Sequence, residues 1–304
     1  MKRALTSALV VSLGVAACRP EAKETALAAL DRQTAARQAN VARQLAAPVT
    51  DSGAQSPIAV WVLPSELAEI SGLTEMSDGL LLAHADERAR VAAIDPRKGL
   101  LQRRFTLGAG VRGDFEGITM VGDTAFLVTS NGVIYRFLAG ADGEQVRFET
   151  QDTNLGKECE FEGITWEAST SSLILACKTV FVEEFENHLL LYKVSRADAR
   201  ALPVPIAIPL DRVIANKEWK TLHPSDITID PNTGNYVVIA SQERAIVEVT
   251  PAGVLVRSES LPERHRQPEG VVITRDGLLV IGDEARQGSA SITLYRWRPR
   301  AASE

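Results

Sequence analysis

Three cysteines in 304 residues are too few for a disulfide-stapled miniprotein and too few for a four-cysteine zinc site. Positive charge is also short: 33 Lys+Arg stand against 39 Asp+Glu, a net charge of −6, the wrong sign for a general binder of nucleic-acid backbone. Outside the first residues no apolar run is long enough to span a bilayer, which takes roughly 20 residues. A Gly-x-Ser-x-Gly elbow and a Walker loop are absent. The four histidines, His84, His188, His223 and His265, are dispersed without metal-site spacing. What is plentiful is apolar content, 45% of the chain, so stability has to come from a packed core.

The first 17 residues join Lys2 and Arg3 to a short apolar stretch, Ala4 to Val15, and a small-residue end, which is the form of an export signal. Val15-Ala16-Ala17-Cys18 resembles a bacterial lipobox, with Cys18 as the residue that takes the lipid and becomes the new amino terminus. Acyl chains contribute about 0.8 kcal/mol per buried CH2, enough to hold an exported protein on a membrane without a spanning segment. Arg19 rather than Asp after that cysteine resembles the sorting pattern for the outer membrane, which places the chain in the cell envelope on the periplasmic face. Loss of the signal removes two positive charges and leaves a mature balance of −8.

Residues 18–57 read as a tether. They are rich in Ala, Gln and Arg, contain no aromatic residue, and carry only a weak stripe at Leu27, Leu30, Val41 and Leu45, so a partly helical spacer is expected up to Pro48 and a flexible linker after it. From Ile58 the character changes to short β-rich runs separated by Gly, Asp and Asn, the pattern of an all-β barrel, sandwich or propeller.

Repetition decides among these. Five segments share one shape: Glu69-Ile-Ser-Gly-Leu-Thr74, Asp114-Phe-Glu-Gly-Ile-Thr119, Glu160-Phe-Glu-Gly-Ile-Thr165, His223-Pro-Ser-Asp-Ile-Thr228 and Gln267-Pro-Glu-Gly-Val-Val272. Their fourth positions, Gly72, Gly117, Gly163, Asp226 and Gly270, are 45, 46, 63 and 44 residues apart, the period of a four-stranded propeller blade. The long interval marks an insertion in the third blade, around Glu183 to Asn187 and Arg196 to Trp219. A five-bladed β-propeller over residues 58–298 follows, with residues 299–304 as a tail. The fifth unit runs short of chain, so Ile58 to Leu63 is expected to supply its fourth strand and close the ring, removing free sheet edges.

These five motifs in order, above all Glu69-Ile-Ser-Gly-Leu-Thr, Phe161-Glu-Gly-Ile and Pro268-Glu-Gly-Val, resemble the SdiA-regulated, YjiK-like family of bacterial envelope proteins. The resemblance implies a five-bladed propeller with a bound calcium ion; it implies no molecular activity.

If each motif opens an innermost strand, the third positions Ser71, Glu116, Glu162, Ser225 and Glu269 converge at one mouth of the central channel. Three carboxylates crowded there repel unless protonated, hydrated or neutralised by a cation. The returning second strands bring Asp86, Glu87, Asp283 and Glu284 to the same mouth, together with Ser130, Asn131, Lys178, Gln242 and Glu243, and Asp226 lies beside them. An all-oxygen ring suits Ca2+, which takes 6 to 8 oxygens, better than zinc. Glu69, Asp114 and Glu160 would be further ligands or a supporting layer; alternatively these acids bond backbone N–H groups of neighbouring blades and lock the ring.

Cys159 and Cys177 flank a hairpin turn and are expected either to form a cross-strand disulfide or to remain two buried thiols. His84 and His223 fall near the mouth, where either could act as a base or simply pack. Arg88, Arg244 and Arg286 recur after the second strands and could meet an anion there or be solvated surface. The expected function is a lipid-anchored calcium-binding propeller with a small-molecule or envelope-protein partner. Its rivals are a calcium-dependent hydrolase of phosphoesters, nucleotides, lactones or esters, and an envelope scaffold with a purely structural metal.

Overall fold

The computed structural model describes residues 20–47, 56–200, 202, 204–286 and 288–298, with side chains described from residue 28 onward. The export signal, Cys18 with its neighbour Arg19, linker residues 48–55 and the tail from residue 299 lie outside the described residues.

The ring is entered on β1 (Ala59–Val62). The first blade follows with β2 (Ile70–Glu75), β3 (Leu81–Ala85), β4 (Arg90–Asp95) and β5 (Leu100–Leu107). The second blade is β6 (Phe115–Val121), β7 (Thr124–Thr129) and β8 (Val133–Leu138), after which β9 (Gln145–Val146) adds in parallel to the outer edge of β5 and β10 (Phe148–Asp152) completes the blade. The third has β11 (Cys159–Glu167), β12 (Ser172–Val180), β13 (His188–Ser195) and β14 (Ile206–Pro209), followed by a short helix, α2 (Leu210–Val213). The fourth is β15 (Pro224–Ile229), β16 (Tyr236–Ala240), β17 (Ala245–Val249) and β18 (Leu255–Ser260). The fifth has β19 (Pro268–Ile273), β20 (Leu278–Asp283) and β21 (Ser291–Arg296), and its fourth strand is β1, antiparallel to β21 with Trp61 opposite Ile292. The ring therefore closes by joining its two ends, as the short fifth unit requires.

Five apolar layers hold it, one at each seam between blades. Central strands such as Tyr236–Ala240 and Leu278–Asp283 are buried on both faces, which is why they are continuous β-branched and aliphatic runs rather than alternating ones. The long interval in the third blade is spent on an extended β11–β12 hairpin, a 3-10 turn at Glu183–Phe185, and α2, whose Leu210 and Val213 join the layer between blades three and four.

Helix α1 (Pro20–Ala46) occupies most of the tether, and its last turns dock on the seam between blades five and one. Val41 is fully buried there and Leu45 packs beside it, while Leu30 stays 50% exposed. The Arg37 guanidinium stacks 5.1 Å from the Trp61 ring centroid, and Arg296 donates to the carbonyl of Ala47. Two apolar side chains at the correct helical spacing suffice to anchor a helix whose stripe is otherwise weak.

Around the axis the fourth motif positions touch backbone to backbone. A Cβ on Gly72 would lie 3.2 Å from the Gly117 Cα, one on Gly117 2.7 Å from the Gly163 Cα, and one on Gly163 3.0 Å from the Asp226 Cα. On Gly270 it would meet the carbonyl carbon of Gly72 at 3.3 Å, and the remaining step is bridged by the Asp226 carboxylate, which accepts the N–H of Val271 at 2.7 Å. Gly117→Ala is therefore expected to destabilise the protein by about 3 kcal/mol or more, since only backbone could give way. Gly288→Ala, with open space around it, should stay within about 0.5 kcal/mol. Urea unfolding of both variants checks this, and equal midpoints would refute the close-approach reading.

Candidate functional site

In every blade the pairing of the innermost strand slips at the third motif position. Ser71 is skipped between the Ile70–Ala85 and Gly72–His84 pairs, and Glu116 between Phe115–Thr129 and Gly117–Val128. Glu162, Ser225 and Glu269 lie in the equivalent shifts of β11, β15 and β19. A β-bulge releases one residue from the ladder and re-aims its side chain. Bulges at equivalent positions thus point three carboxyls and the Ser71 hydroxyl at one mouth.

The mouth is bonded internally. Ser71 Oγ donates to Glu116 Oε2 at 3.2 Å, and the Lys178 ammonium lies 2.6 Å from Glu162 Oε1. Ser225 turns away to the carbonyl of Pro268 at 2.6 Å. Burial, followed by the charges of Glu162 and Asp114, pushes the Glu116 carboxyl up to about 9. Burial and then Glu162 push Glu269 up to about 7. Burial also raises Glu162, against the pull of Lys178. Lys178 is itself held above the usual ammonium range: burial lowers it, but Glu162 more than compensates. The mouth is short of positive charge, and one lysine supplies part of it.

Lys178 is placed by the third blade. Glu160 pairs with Thr179 and Phe161 with Cys177, so Lys178 is the extra residue on its own strand, immediately after the cysteine joined to Cys159. The two Cα atoms of that disulfide are 5.7 Å apart. It ties the two bulged strands together next to Lys178.

Asp226, the exception among the fourth positions, is not at the mouth. It is 1% exposed, and its two carboxylate oxygens accept the N–H of Ile227 at 2.8 Å and of Val271 at 2.7 Å. Burial pushes its pKa well up while the N–H groups of Val271, Ile227 and Leu73 pull it down. One side chain thus ties three inner strands. The far end of the channel is a separate cavity of about 610 Å³, ringed by Thr74, Thr119, Thr165 and Thr228.

The other expected groups divide. Asp114 accepts from Ser130 Oγ at 2.5 Å and Glu160 from Thr179 Oγ1 at 2.6 Å, both beside the central acids. Glu69, Asp86, Glu87 and Glu284 form a second acidic group: Asp86 and then burial raise Glu69, while burial and then Asp86 raise Glu284. Asp283 does not join either group. Its Oδ2 takes the Nδ1–H of fully buried His265 at 2.7 Å, whose Nε2 lies 2.6 Å from the Tyr295 hydroxyl. His84 is wholly buried, with burial lowering it to about 4, so it is a neutral packing residue rather than a base at the mouth. His223 does reach the mouth, its Nδ1 2.8 Å from Glu243 Oε1. Arg88 lies elsewhere, beside Glu66 and Glu69.

Beside the central acids, between blades three, four and five, opens a chamber of about 750 Å³ with Glu269 and Lys178 in its wall. With this geometry in hand, the known proteins sort as follows. The SdiA-regulated family model matches residues 210–299. That span covers α2 and nearly all of blades four and five, including the His223 and Gln267 motifs. Comparison with curated proteins finds no match. Among solved structures, glutaminyl cyclase of Myxococcus xanthus is similar at 10% identity and a TM-score of 0.56, over 80% of this chain and 97% of that one. A PQQ-bound aldose sugar dehydrogenase of Streptomyces coelicolor is similar at 13% identity and a TM-score of 0.49, over 80% and 99%. At 10% identity the cyclase speaks for the propeller fold alone.

Sequence reading missed the bulges, the axial role of Asp226 and the ion pair of Lys178. The available signals were a single Asp where four blades have Gly, and a single Lys where other blades return acids or amides. Because Glu116 and Glu269 are raised from the ordinary 4.5, the folded state holds protons that the unfolded chain has released. Stability in chelator should therefore fall as pH climbs from about 5 through 7 to 9. Glu116→Gln should flatten that slope and raise Tm at about pH 8 by roughly 2–4 °C, the equivalent of about 1 kcal/mol in a chain of this size. A slope identical in the variant would remove Glu116 as its source. Cys159→Ala with Cys177→Ala, which opens a loop of sequence separation 18, should cost about 3 kcal/mol in denaturant unfolding, whereas an unchanged midpoint would mean the bond contributes nothing.

Proposed function

We propose that this chain is a lipid-anchored envelope propeller that captures calcium at its acidic mouth and offers that mouth to a small ligand or protein partner. One observation supports it above all: three carboxyls, buried Glu162 and half-buried Glu116 and Glu269, are aimed together by bulges, with Lys178 paired to Glu162 alone. Among the described residues no three His, Cys, Asp or Glu side chains form a ready-made metal cluster, so the reading rests on donor chemistry. That chemistry fits a hard cation, since Ser71, Glu116, Glu162 and Glu269 offer oxygen only. Lys178 is an internal competitor, and a bound cation would take over its neutralising role at Glu162.

The anchor rests on Val15-Ala16-Ala17-Cys18 together with the fact that no described helix is long and apolar enough to cross a membrane. A second reading, hydrolysis, is favoured by one feature: His223, oriented by Glu243, faces the same chamber as Glu269.

Calcium titration of the purified full chain is expected to raise Tm by several degrees, as saturating ligand does through mass action. The rise should vanish in Glu116→Gln with Glu162→Gln, and Lys178→Met should tighten calcium binding about tenfold by removing the competitor. Melting curves that are the same in calcium and chelator would overturn the reading. Labelling with radioactive palmitate, lost in Cys18→Ala, tests the anchor. Calcium-dependent turnover of phosphoester, lactone or aryl-ester panels, lost in His223→Gln, would establish the hydrolytic alternative.

A further inference from the structure

The chamber beside the mouth carries charge of both signs. Glu269 lies in its wall next to Lys178, whereas Arg244, Arg266 and Arg286 are exposed around it with one acid, Glu263. Among the described residues none of these three guanidinium groups is in ion-pair contact with a carboxylate, though Arg286 stands close enough to Glu284 to draw its pKa down. Arg266 and Arg286 also face an adjoining cavity of about 330 Å³, to which Arg264 contributes a further guanidinium. A volume of about 750 Å³ lies in the range that encloses small metabolites rather than macromolecules.

Two further features mark this as more than solvated surface. Arg244 sits at φ 49°, a left-handed conformation costly for a residue with a Cβ, and it is fixed there by its N–H to Ser241 and by its carbonyl, which accepts the N–H of Leu261 at 2.6 Å. The chain therefore tolerates strain at the position where an arginine faces the chamber. Gln267, also in the wall, spends one amide N–H on Glu284 and leaves its Oε1 sealed from solvent without a partner, an unsatisfied acceptor that a turn of the side chain presents to a guest.

We propose that this chamber binds a small organic anion, a carboxylate or a phosphate ester, gripped by Arg244, Arg266 and Arg286, with its hydrogen-bond donors directed at Gln267 and Glu269. This names the ligand class of the mouth described above and rests on that reading only for the location of the acids. Guanidinium groups match carboxylate and phosphate oxygens in bidentate geometry, so an anion converging on three of them is held by the strong class of hydrogen bond. The acidic centre behind them repels a ligand that is anionic at both ends and selects one whose second end is neutral or cationic.

The test is calorimetric titration of the purified full chain at constant ionic strength. Glycerol phosphate, inorganic phosphate, γ-aminobutyrate and succinate are compared with glycerol and γ-aminobutyramide, which keeps the ammonium and lacks the carboxylate. Binding of glycerol phosphate or γ-aminobutyrate is expected at least tenfold tighter than that of its counterpart without the oxyanion, and succinate is expected to be weaker than γ-aminobutyrate. Preference for the phosphate ester or for the carboxylate identifies which oxyanion the rim takes. Arg244→Gln with Arg266→Gln should weaken binding at least tenfold while leaving both Tm and the calcium response unchanged. Failure of both glycerol phosphate and γ-aminobutyrate to exceed their counterparts without the oxyanion, or full binding by the double variant, would overturn the proposal. A lost calcium response with anion binding intact would instead overturn the cation reading and leave this one standing.

Discussion

Close backbone approach at the axis is the constraint on which this molecule depends. Gly72, Gly117, Gly163 and Gly270 meet one another and Asp226 around the centre, where a Cβ added to any of these glycines would lie 2.7–3.3 Å from the backbone of the next blade. Blades can come this near only where side chains are missing. Asp226 is accommodated because its carboxylate supplies what the free inner edges need, an acceptor for backbone N–H groups that otherwise face a buried axis. Glycine elsewhere and aspartate once are therefore two solutions to the same geometric demand.

The functional character of the mouth follows from that constraint. A strand that must run glycine-close at one position and still pair with its neighbour slips its register next to the glycine, and the residue preceding it is released toward the mouth. Acids at that position become crowded and partly buried, and burial with mutual repulsion holds their pKa values up. Lys178, bulged from the disulfide-tied hairpin of the third blade, relieves part of it. The arginines farther out on blades four and five then surround a negative centre, so the mouth discriminates by the arrangement of charge more than by its sum.

Much of this was legible in the residues. The 45-residue interval, the five repeated hexads and the short last unit led to a closed five-bladed ring, and β1 against β21 is the closure they required. The third-position acids were legible as a convergent set because a repeat places equivalent residues equivalently. Residues that break the repeat were not. His84 and Asp283 sit near mouth-proximal positions in sequence, yet the first is sealed between blades and the second is held by His265, eighteen residues upstream. The weak stripe of α1 likewise gave no hint of what Val41 would meet.

Periodicity is a property of the chain, and so the sequence alone determined the number of blades, their closure, and which acids share a ring. Which of those acids has a partner is a matter of distances between different blades. Only the tertiary structure could decide that Lys178 neutralises Glu162, that Asp226 ties three strands at the axis, and that Arg266 stands with Arg244 and Arg286 around one chamber. Each of these rests on a single side chain that departs from the repeat, and a departure carries no period from which its neighbours could be read.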